Sequence, residues 1–467
     1  MVSERSADSS IMEKNLTSGS VFGNIVTFSL PYLFSYFLQT LYGMADLFII
    51  GQFEGTASTT AVSIGSQVMH MLTVIIVGLA MGATVTISRA VGADRKLDAA
   101  RAIGNTVTLF MAVSILFTLL LLLLVRPIVV LIGIPTEAVT GTTQYLIICF
   151  IGIPFITAYN IISSIFRGIG DSKTPMYFVA IACAANIVLD YVFIGFFHMG
   201  PSGAALGTTL AQTLSVIIAL IFIRHRETGI HLTGKDFRPD PHVMTQILKI
   251  GIPVAVQDGY IQVAFIVITV IANHRGLNDA AAVGIVEKVI SAVFLVPSSM
   301  LAAVSALAAQ NIGARKHDRA AKTLQYSILI TSVYGIIISL IVQFTAPHIL
   351  QAFTGDDTVV LLGTQYIHSY IWDCIFAGIH FSFTGYFCAY GKSYIGFIHN
   401  IIAIILVRIP GSYLASRYFP HTLFPMGMAA PAGSLLSVLI CLIAYFWLKH
   451  HAGPGPVSRC KGDSNGR

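Results

Sequence analysis

The chain of 467 residues is 55% hydrophobic and only 10% charged, and its mean hydropathy is +0.80. Soluble globular proteins carry about 25% charged residues, so a charge content this low excludes a surface that faces water throughout. The formal net charge of +6 suits lysines and arginines in the cytoplasmic loops of a membrane protein better than a nucleic-acid partner. We therefore expect a protein of the lipid bilayer that binds no nucleic acid.

Long stretches without Asp, Glu, Lys or Arg recur along the chain, for example over 55–88 and 323–355. About 20 apolar residues cross the hydrocarbon core as a helix, and backbone groups in lipid must be paired within the segment. The alternation typical of a membrane β-barrel is absent. We therefore expect an all-α integral membrane protein with twelve transmembrane helices, at 22–50, 58–88, 102–125, 137–166, 175–197, 203–223, 244–273, 280–310, 321–345, 357–388, 394–416 and 427–448.

The basic residues set the orientation of these helices. With twelve spans, one side of the membrane receives 21 of the 27 lysines and arginines, whereas the other receives Arg126, Arg275 and Arg417. The remaining three, Lys249, Lys288 and Arg408, lie within spans or at their edges. Because basic loops stay in the cytoplasm, we expect a multi-pass protein of the inner (plasma) membrane with both termini cytoplasmic.

Three pairs of segments indicate an internal duplication. The segment VGADRKLDAARA at 91–102 matches IGARKHDRAAK at 312–322, an offset of about 221 residues. The same offset pairs 28–33 with 249–254, proline on proline. It also pairs SSIFRGIGDS with FTGYFCAYGKS, which end at 172 and 393. Landmarks that share one offset predict two copies of one unit.

Each copy holds six predicted helices, an even number, so both copies insert in the same orientation and form two lobes related by a parallel repeat. Two such lobes around a cleft suit alternating access. The predicted division of the chain is a cytoplasmic tail 1–20, an N-lobe 21–223, a cytoplasmic linker 224–243, a C-lobe 244–448 and a cytoplasmic tail 449–467.

Five acidic residues fall inside or near predicted spans: Asp46, Asp190, Asp258, Glu287 and Asp373. A charge at the bilayer centre costs about 3 kcal/mol on insertion scales. We therefore expect these side chains to face the interior or a watery cleft, where they are functional candidates. The alternatives are a structural ion pair and a side chain that reaches the interface.

Asn186 and Asp190 are four residues apart and share one helix face. An amide oxygen beside a carboxylate suits a hard cation, and a buried carboxyl group suits a proton equally well. Thr208 and Thr209 could add a hydroxyl from the next helix, unless they bond to their own helix backbone.

Pro31 lies in the first predicted span, and Pro253 lies at the equivalent place in the second copy. Proline frees a carbonyl and kinks a helix. Helix 1 also carries Asp46 about four turns further on, so the kinked helix is a candidate moving part. The alternative is a static bend.

The paired halves and three segments resemble the multidrug and toxic compound extrusion (MATE) transporters. The segments are SLPYLFSYFLQTLYGMADLFIIG, FRGIGDSKTP and ANIVLDYVFI, and the resemblance extends over about residues 14–450. It implies two six-helix lobes and the export of amphipathic, usually cationic, compounds by inward flow of Na⁺ or H⁺.

The resemblance also implies a cation site in the first lobe. Residue by residue it carries over to Asp46, Asn186, Asp190 and Thr208; if the coupling ion is Na⁺, Asp46, Asn186 and Asp190 would hold it. Pro31 matches the helix-1 proline whose bend responds to that site. Some branches carry a helix-7 glutamate where this chain has Ile261, so the resemblance favours the first lobe over the second.

The expected function is therefore a secondary active antiporter, with no enzymatic activity and no cofactor besides the coupling ion. Carboxylates and aromatic faces attract organic cations. We expect the exported drug to lie between the lobes of a monomer. The candidate cavity residues are Tyr36, Gln39, Tyr42, Asp258, Glu287 and Asp373.

Three alternatives remain. A lipid-linked oligosaccharide flippase of related fold would have a more basic cleft, whereas the intramembrane charges here are mostly acidic. An ion channel would show a filter loop or a charged ring. A serine protease is suggested only by Gly-Pro-Ser-Gly at 200–203, which is better explained as a turn. The six cysteines show no C-x-x-C spacing, so they indicate neither a disulfide framework nor a zinc site.

Overall fold

A computed structural model describes residues 16–225 and 229–451. The rest of the predicted tails, residues 1–15 and 452–467, and residues 226–228 of the predicted linker lie outside the described part of the chain. The described part contains these helices: α1 Val21–Phe53, α2 Thr56–Gly92, α3 Lys96–Ile132, α4 Thr136–Gly168, α5 Lys173–Asp190, α6 Gly200–His225, α7 Pro241–Asn273, α8 Leu277–Val293, α9 Leu295–Gly313, α10 His317–Gln351, α11 Asp357–Tyr370, α12 Asp373–Ala389, α13 Ser393–Ala403, α14 Ile409–Tyr418, α15 Phe424–Gly427 and α16 Ala429–His451.

The helices make twelve crossings and confirm the all-α membrane fold. Eleven crossings are long and apolar enough to span a bilayer as nearly continuous helices within the described residues. The remaining crossing, the tenth, consists of α11 followed by α12. Several helices extend beyond the predicted spans, because an apolar run marks only the hydrocarbon core. For instance, α3 continues over basic residues from Lys96 at one end and reaches Ile132 at the other.

The tenth crossing differs from the predicted continuous helix over 357–388. It breaks at Ile371 and Trp372, and α12 starts anew at Asp373. The amide of Cys374 bonds the carbonyl of Ile371 three residues back, as in a 3₁₀ turn. Aspartate is favoured in the first turn of a helix because its charge complements the helix dipole. The break therefore places a carboxyl group at a helix start inside the membrane.

The eighth crossing is interrupted at Phe294, between α8 and α9. Pro297 lacks an N–H and its ring crowds the carbonyl four residues back, which belongs to Val293. The Tyr334 hydroxyl donates to that carbonyl at 3.0 Å. A neighbouring helix thus satisfies the acceptor that proline leaves unpaired.

Two crossings contain π-helical segments, at Tyr191–Phe196 and Ile404–Arg408. These are the fifth and eleventh crossings, which are partners in the internal repeat. Such segments occur mostly at functional sites. Each adjoins a charged side chain, Asp190 before the first segment and Arg408 at the end of the second.

The lobes meet at one end of the bundle. We call this the basic end, because its loops carry most of the lysines and arginines, and we call the opposite end the far end. At the basic end, Tyr32 and Met81 of the N-lobe pack in one hydrophobic cluster with Ile250 and Val304 of the C-lobe. At the far end, one cluster consists of N-lobe residues alone and another of C-lobe residues alone. The cleft between the lobes is therefore closed at the basic end.

Small residues allow the close contact between the lobes. A Cβ atom on Gly82 of α2 would lie 2.0 Å from the carbonyl oxygen of Ile247, and one on Gly251 of α7 would lie 2.4 Å from that of Leu79. Helix backbones in membranes approach this closely only where side chains are small. Glycine at both positions thus permits α2 and α7 to cross backbone against backbone.

Candidate functional site

Four predicted residues come together inside the N-lobe. Asp46 projects from α1, Asn186 and Asp190 from the last turns of α5, and Thr208 from α6. The Thr208 hydroxyl donates to Asp46 Oδ2 at 3.2 Å, and Asn186 Nδ2 lies 3.5 Å from Thr208 Oγ1. The carboxyl groups of Asp46 and Asp190 lie within hydrogen-bonding reach of each other. We call these four residues the N-lobe cluster.

The N-lobe cluster is buried and rich in unpaired oxygens. Asp46, Asn186 and Asp190 are 3%, 1% and 0% exposed. No hydrogen-bond donor among the described residues reaches Asp46 Oδ1, Asn186 Oδ1 or either oxygen of Asp190. Unpaired buried carboxylates are costly, and a cation held by oxygen ligands, or a proton shared by the two carboxyls, would remove that cost. The arrangement can therefore take up one small cation or proton.

Gly207 leaves the space that the Asp190 carboxyl group occupies. A Cβ atom at Gly207 would lie 2.2 Å from Asp190 Oδ1, so a larger residue on α6 would displace the carboxyl group. This glycine was not among the residues predicted from the sequence to form the site. The only sequence signal was its position next to Thr208, and many glycines in membrane helices serve packing alone.

Pro31 lies in α1, which runs without interruption from Val21 to Phe53. The Ser35 hydroxyl donates to the Pro31 carbonyl at 2.8 Å. The role of Pro31 as a bend that responds to the N-lobe cluster stays a prediction.

The structure divides the six predicted cavity residues into three places. Tyr42 lies near Asp46 and Gln212, so it adjoins the N-lobe cluster. Gln39 lies one turn earlier on α1, near Tyr159 of α4. Tyr42 and Gln39 therefore both face the interior of the N-lobe.

Tyr36 and Asp258 lie together where the lobes meet. The Tyr36 ring packs edge-on against Tyr32, with 5.0 Å between the centroids, and Asp258 acts on it from the C-lobe. Arg167 donates to the Tyr32 hydroxyl at 2.7 Å and its guanidinium lies 3.8 Å from the centre of that ring. A positive group of the N-lobe and a negative group of the C-lobe thus lie near the same pair of tyrosines.

Glu287 and Asp373 belong to a separate group within the C-lobe. Arg408 acts electrostatically on both, donates to the Tyr370 hydroxyl and lies 5.0 Å from the centre of the Phe265 ring. Asp373 is fully buried, and neither of its oxygens accepts a hydrogen bond from the described residues. From the sequence, Arg408 was recognisable only as a basic residue within or at the edge of a span. Arg408 comes near the two acids only because α8, α12 and the π-helical segment Ile404–Arg408 pack together.

The two polar groups differ in charge. The N-lobe cluster contains two carboxyls and no base, whereas the C-lobe group contains two carboxyls and one guanidinium. Among the described residues, no three His, Cys, Asp or Glu side chains come together as in a transition-metal site. A resident guanidinium repels a further cation, so the geometry favours the N-lobe cluster as the cation site.

Comparison with known proteins agrees with the duplication. The family model described as MatE matches residues 31–192 and, again, residues 253–414, one match in each lobe. The chain is 24% identical over 428 residues to the probable multidrug resistance protein YoeA of Bacillus subtilis (strain 168), which covers 90% of this chain and 92% of that protein.

One further relative and one solved structure also resemble this chain. The multidrug export protein MepA of Staphylococcus aureus (strain bovine RF122 / ET3-1) is 25% identical over 431 residues, which covers 91% of this chain and 94% of that protein. A solved structure described as the outward-facing conformation of a multidrug resistance MATE family transporter matches with a TM-score of 0.86 at 21% identity. The match covers 93% of this chain and 98% of that one. At this identity the likeness concerns the fold.

Proposed function

The chain belongs to the MatE family, and on this premise we propose that it is a secondary active exporter of amphipathic organic cations, driven by inward movement of Na⁺ or H⁺. The multi-pass fold and the bacterial relatives support a place in the plasma membrane. The names of those relatives support drug export.

The N-lobe cluster is the observation that carries the ion-coupling part of this proposal. Two carboxyls, an amide and a hydroxyl converge on one buried point with several oxygens unpaired. The coupling ion is cargo that enters this point from one side and leaves it to the other. Each positive charge that moves inward supplies about 2.3 kcal/mol per 100 mV of membrane potential.

The basic end is the cytoplasmic end in this proposal, because basic loops stay inside. Lobe contacts are concentrated there, so the described conformation is the one that faces outward. Inward movement of the ion then accompanies separation of the lobes at the basic end and closure at the far end. Ion and drug are linked because each binds one conformation better than the other.

The drug site lies between the lobes in this proposal. Tyr36 and Asp258 offer an aromatic face and a carboxylate at the lobe contact. Both groups attract an organic cation. Gln39 and Tyr42 continue the polar surface along α1 towards the N-lobe cluster. A lipid-linked oligosaccharide flippase is not favoured, since the compared relatives are named for multidrug resistance and export.

Substitution of the cluster acids tests this function. We expect Asp46→Asn and Asp190→Asn each to reduce ethidium efflux by about tenfold or more, because an amide cannot exchange a proton or fully neutralise a cation. The measurement is efflux from a pump-deficient bacterium, with protein levels compared by immunoblot. Asp98→Asn is the matched control, since its exposed carboxylate lies far along the chain from the cluster and pairs with Arg95 at the start of α3. Unchanged efflux in both cluster variants would refute the coupling site.

Purified protein in liposomes identifies the coupling ion. Ethidium transport is measured with a sodium gradient or a pH gradient imposed separately. Transport should follow one gradient and disappear in Asp190→Asn, while Asp98→Asn retains it. Transport that follows neither gradient would contradict an ion-coupled exporter.

A further inference from the structure

Two side chains, one from each lobe, join the lobes reciprocally at the basic end through three hydrogen bonds. Arg89 of α2 donates from Nε and Nη2 to the carbonyl of Ala389, the last residue of α12, at 2.9 and 2.6 Å. Gln310 of α9 donates from Nε2 to the carbonyl of Gly168, the last residue of α4, at 3.2 Å. In each case a side chain of one lobe caps the C-terminus of a helix in the other lobe. We call this pair the crossed caps.

The internal repeat relates the two caps. Arg89 and Gln310 differ by 221 in number, as do the acceptors Gly168 and Ala389, and 221 is also the offset of the duplicated segments. The donors occupy the same place in α2 and α9, and the acceptors end equivalent helices. The two copies of the unit therefore contact each other through equivalent residues. Such a repeated contact is expected of a specific interface rather than of an incidental one.

The crossed caps close the path between the lobes. The last carbonyls of a helix have no partner within the helix, and they attract positive charge or a donor. Here each carbonyl accepts from a donor across the lobe boundary. Further along the same two helices, Ser305 of α9 and Met81 of α2 make a buried contact between the lobes. The lobes cannot separate at the basic end without breaking both caps.

We propose that Arg89 and Gln310 are positioning residues that hold the basic end closed and set the balance between the two facing states of the transporter. This proposal rests on the proposed function, because the two facing states belong to the transport cycle. The crossed caps are the observation that supports it. The caps lie near the ends of their helices, where water replaces the donors once the lobes part. They therefore act as a reversible latch.

The test measures access to the lobe contact from the basic end. Ser305→Cys, in a protein whose Cys460 is replaced by serine, places a reporter thiol in the buried contact. Its reaction with a membrane-impermeant maleimide is followed in inside-out vesicles, and the protein without Ser305→Cys supplies the blank. Arg89→Gln and Gln310→Leu should each raise the labelling rate by about threefold or more, since hydrogen bonding across the boundary is weakened or lost at one of the two caps.

The matched control is Ser88→Ala. Ser88 donates to the same Gly168 carbonyl at 3.1 Å, but from α2 to α4 within the N-lobe. It should leave the labelling rate unchanged, because no contact between lobes is lost. If Arg89→Gln yields no folded protein, Arg89→Lys keeps the positive charge with fewer donors and should accelerate labelling to a smaller extent.

Labelling at the unaltered rate in the folded cap variants would overturn the latch. Ethidium transport is measured on the same vesicles. If the unaltered protein moves no ethidium, the proposed function fails, whereas faster labelling in the cap variants still supports the latch. If transport is present and labelling does not respond, only the latch fails.

Discussion

At the scale of single residues, the site depends on space as much as on charge. The carboxyl of Asp190 fits only because α6 presents a glycine opposite it. Buried polar groups demand partners at hydrogen-bond distance, and a shift of the carboxyl by an atom's width would remove it from Asp46 and Asn186. A residue without a side chain therefore contributes to the geometry of the N-lobe cluster.

Gly207→Ala tests this contribution. We expect the added methyl group to displace Asp190 and to reduce ethidium efflux by about tenfold, because forced overpacking costs about 1–3 kcal/mol. Gly51→Ala in α1 is the matched control, since a Cβ atom there meets no atom within 4 Å. Efflux and thermal unfolding in detergent are measured for both. Equal efflux in the two variants would contradict the spatial role of Gly207.

At the scale of helices, the interruptions have local causes and specific partners. Pro297 interrupts the eighth crossing and leaves a carbonyl to Tyr334. The tenth crossing restarts at Asp373, so that a carboxyl begins a helix in the middle of the C-lobe. Hydropathy does not report such breaks, because an interrupted span is as apolar as a continuous one.

The loop after α14 is fastened by one side chain. Arg275, just after α7, donates to the Ser416 carbonyl in the last turns of α14 and to three carbonyls of this loop, those of Phe419, Pro420 and Thr422, at 3.0 to 3.3 Å. Its Nε also lies 3.6 Å from Asp279. A guanidinium can serve several acceptors at once because it holds five donors in a fixed plane.

Arg275→Ala should lower the stability of the protein by about 2 kcal/mol, since four carbonyls lose a charged donor. Thermal unfolding in detergent measures the change as a fall in Tm of several degrees. Arg417→Ala removes an exposed arginine of the same loop region and is expected to leave Tm unchanged. A Tm for Arg275→Ala that equals the Arg417→Ala value would show that the loop is held by other contacts.

At the scale of the whole molecule, the two copies remain equivalent in architecture but have diverged in charge. The fifth crossing brings Asp190 to its π-helical segment, whereas the eleventh crossing brings Arg408. The residues just before the first helix of each lobe bind to the other lobe. Lys316 of the C-lobe donates to the Thr17 carbonyl ahead of α1, and the amide of Asp240 ahead of α7 donates to Asn105 of the N-lobe. Each lobe thus holds the segment that precedes the first helix of the other lobe.

The closed basic end should open when its glycines are enlarged. A Cβ atom on Gly92 would lie 2.0 Å from the Gln310 carbonyl oxygen, and one on Gly313 would lie 2.2 Å from that of Arg89. Backbone atoms cannot yield as side chains do, so the lobes themselves must part. We expect Gly92→Ala and Gly313→Ala to expose the Ser305→Cys thiol to maleimide from the basic end.

The control for this experiment is Gly43→Ala, because no atom lies within 4 Å of a Cβ atom there. It should label as slowly as the unaltered reporter. Slow labelling of Gly92→Ala and Gly313→Ala as well would mean that the lobes stay together despite the added methyl groups. The backbone contact would then not limit opening.

Much of the fold follows from the order of apolar segments along the chain. Apolar length and the pairing of backbone groups in lipid predict the helices, and the offset of 221 residues predicts two equivalent lobes. The charge of Asp46 and Asp190 already indicated that both face the interior, because lipid cannot hold them. These conclusions need no knowledge of packing, since each concerns the solvent around one segment or the likeness of the two halves of the sequence.

Tertiary structure alone decided which distant groups meet. The approach of Gly207 to Asp190, the guanidinium of Arg408 beside Asp373, and the reach of Arg89 to Ala389 depend on how helices rotate and cross. Helix rotation in a bilayer is set by packing between helices, because lipid tails are as apolar as the side chains they replace. A hydropathy pattern therefore determines that a segment crosses the membrane, and the packed lobes determine what each side chain contacts.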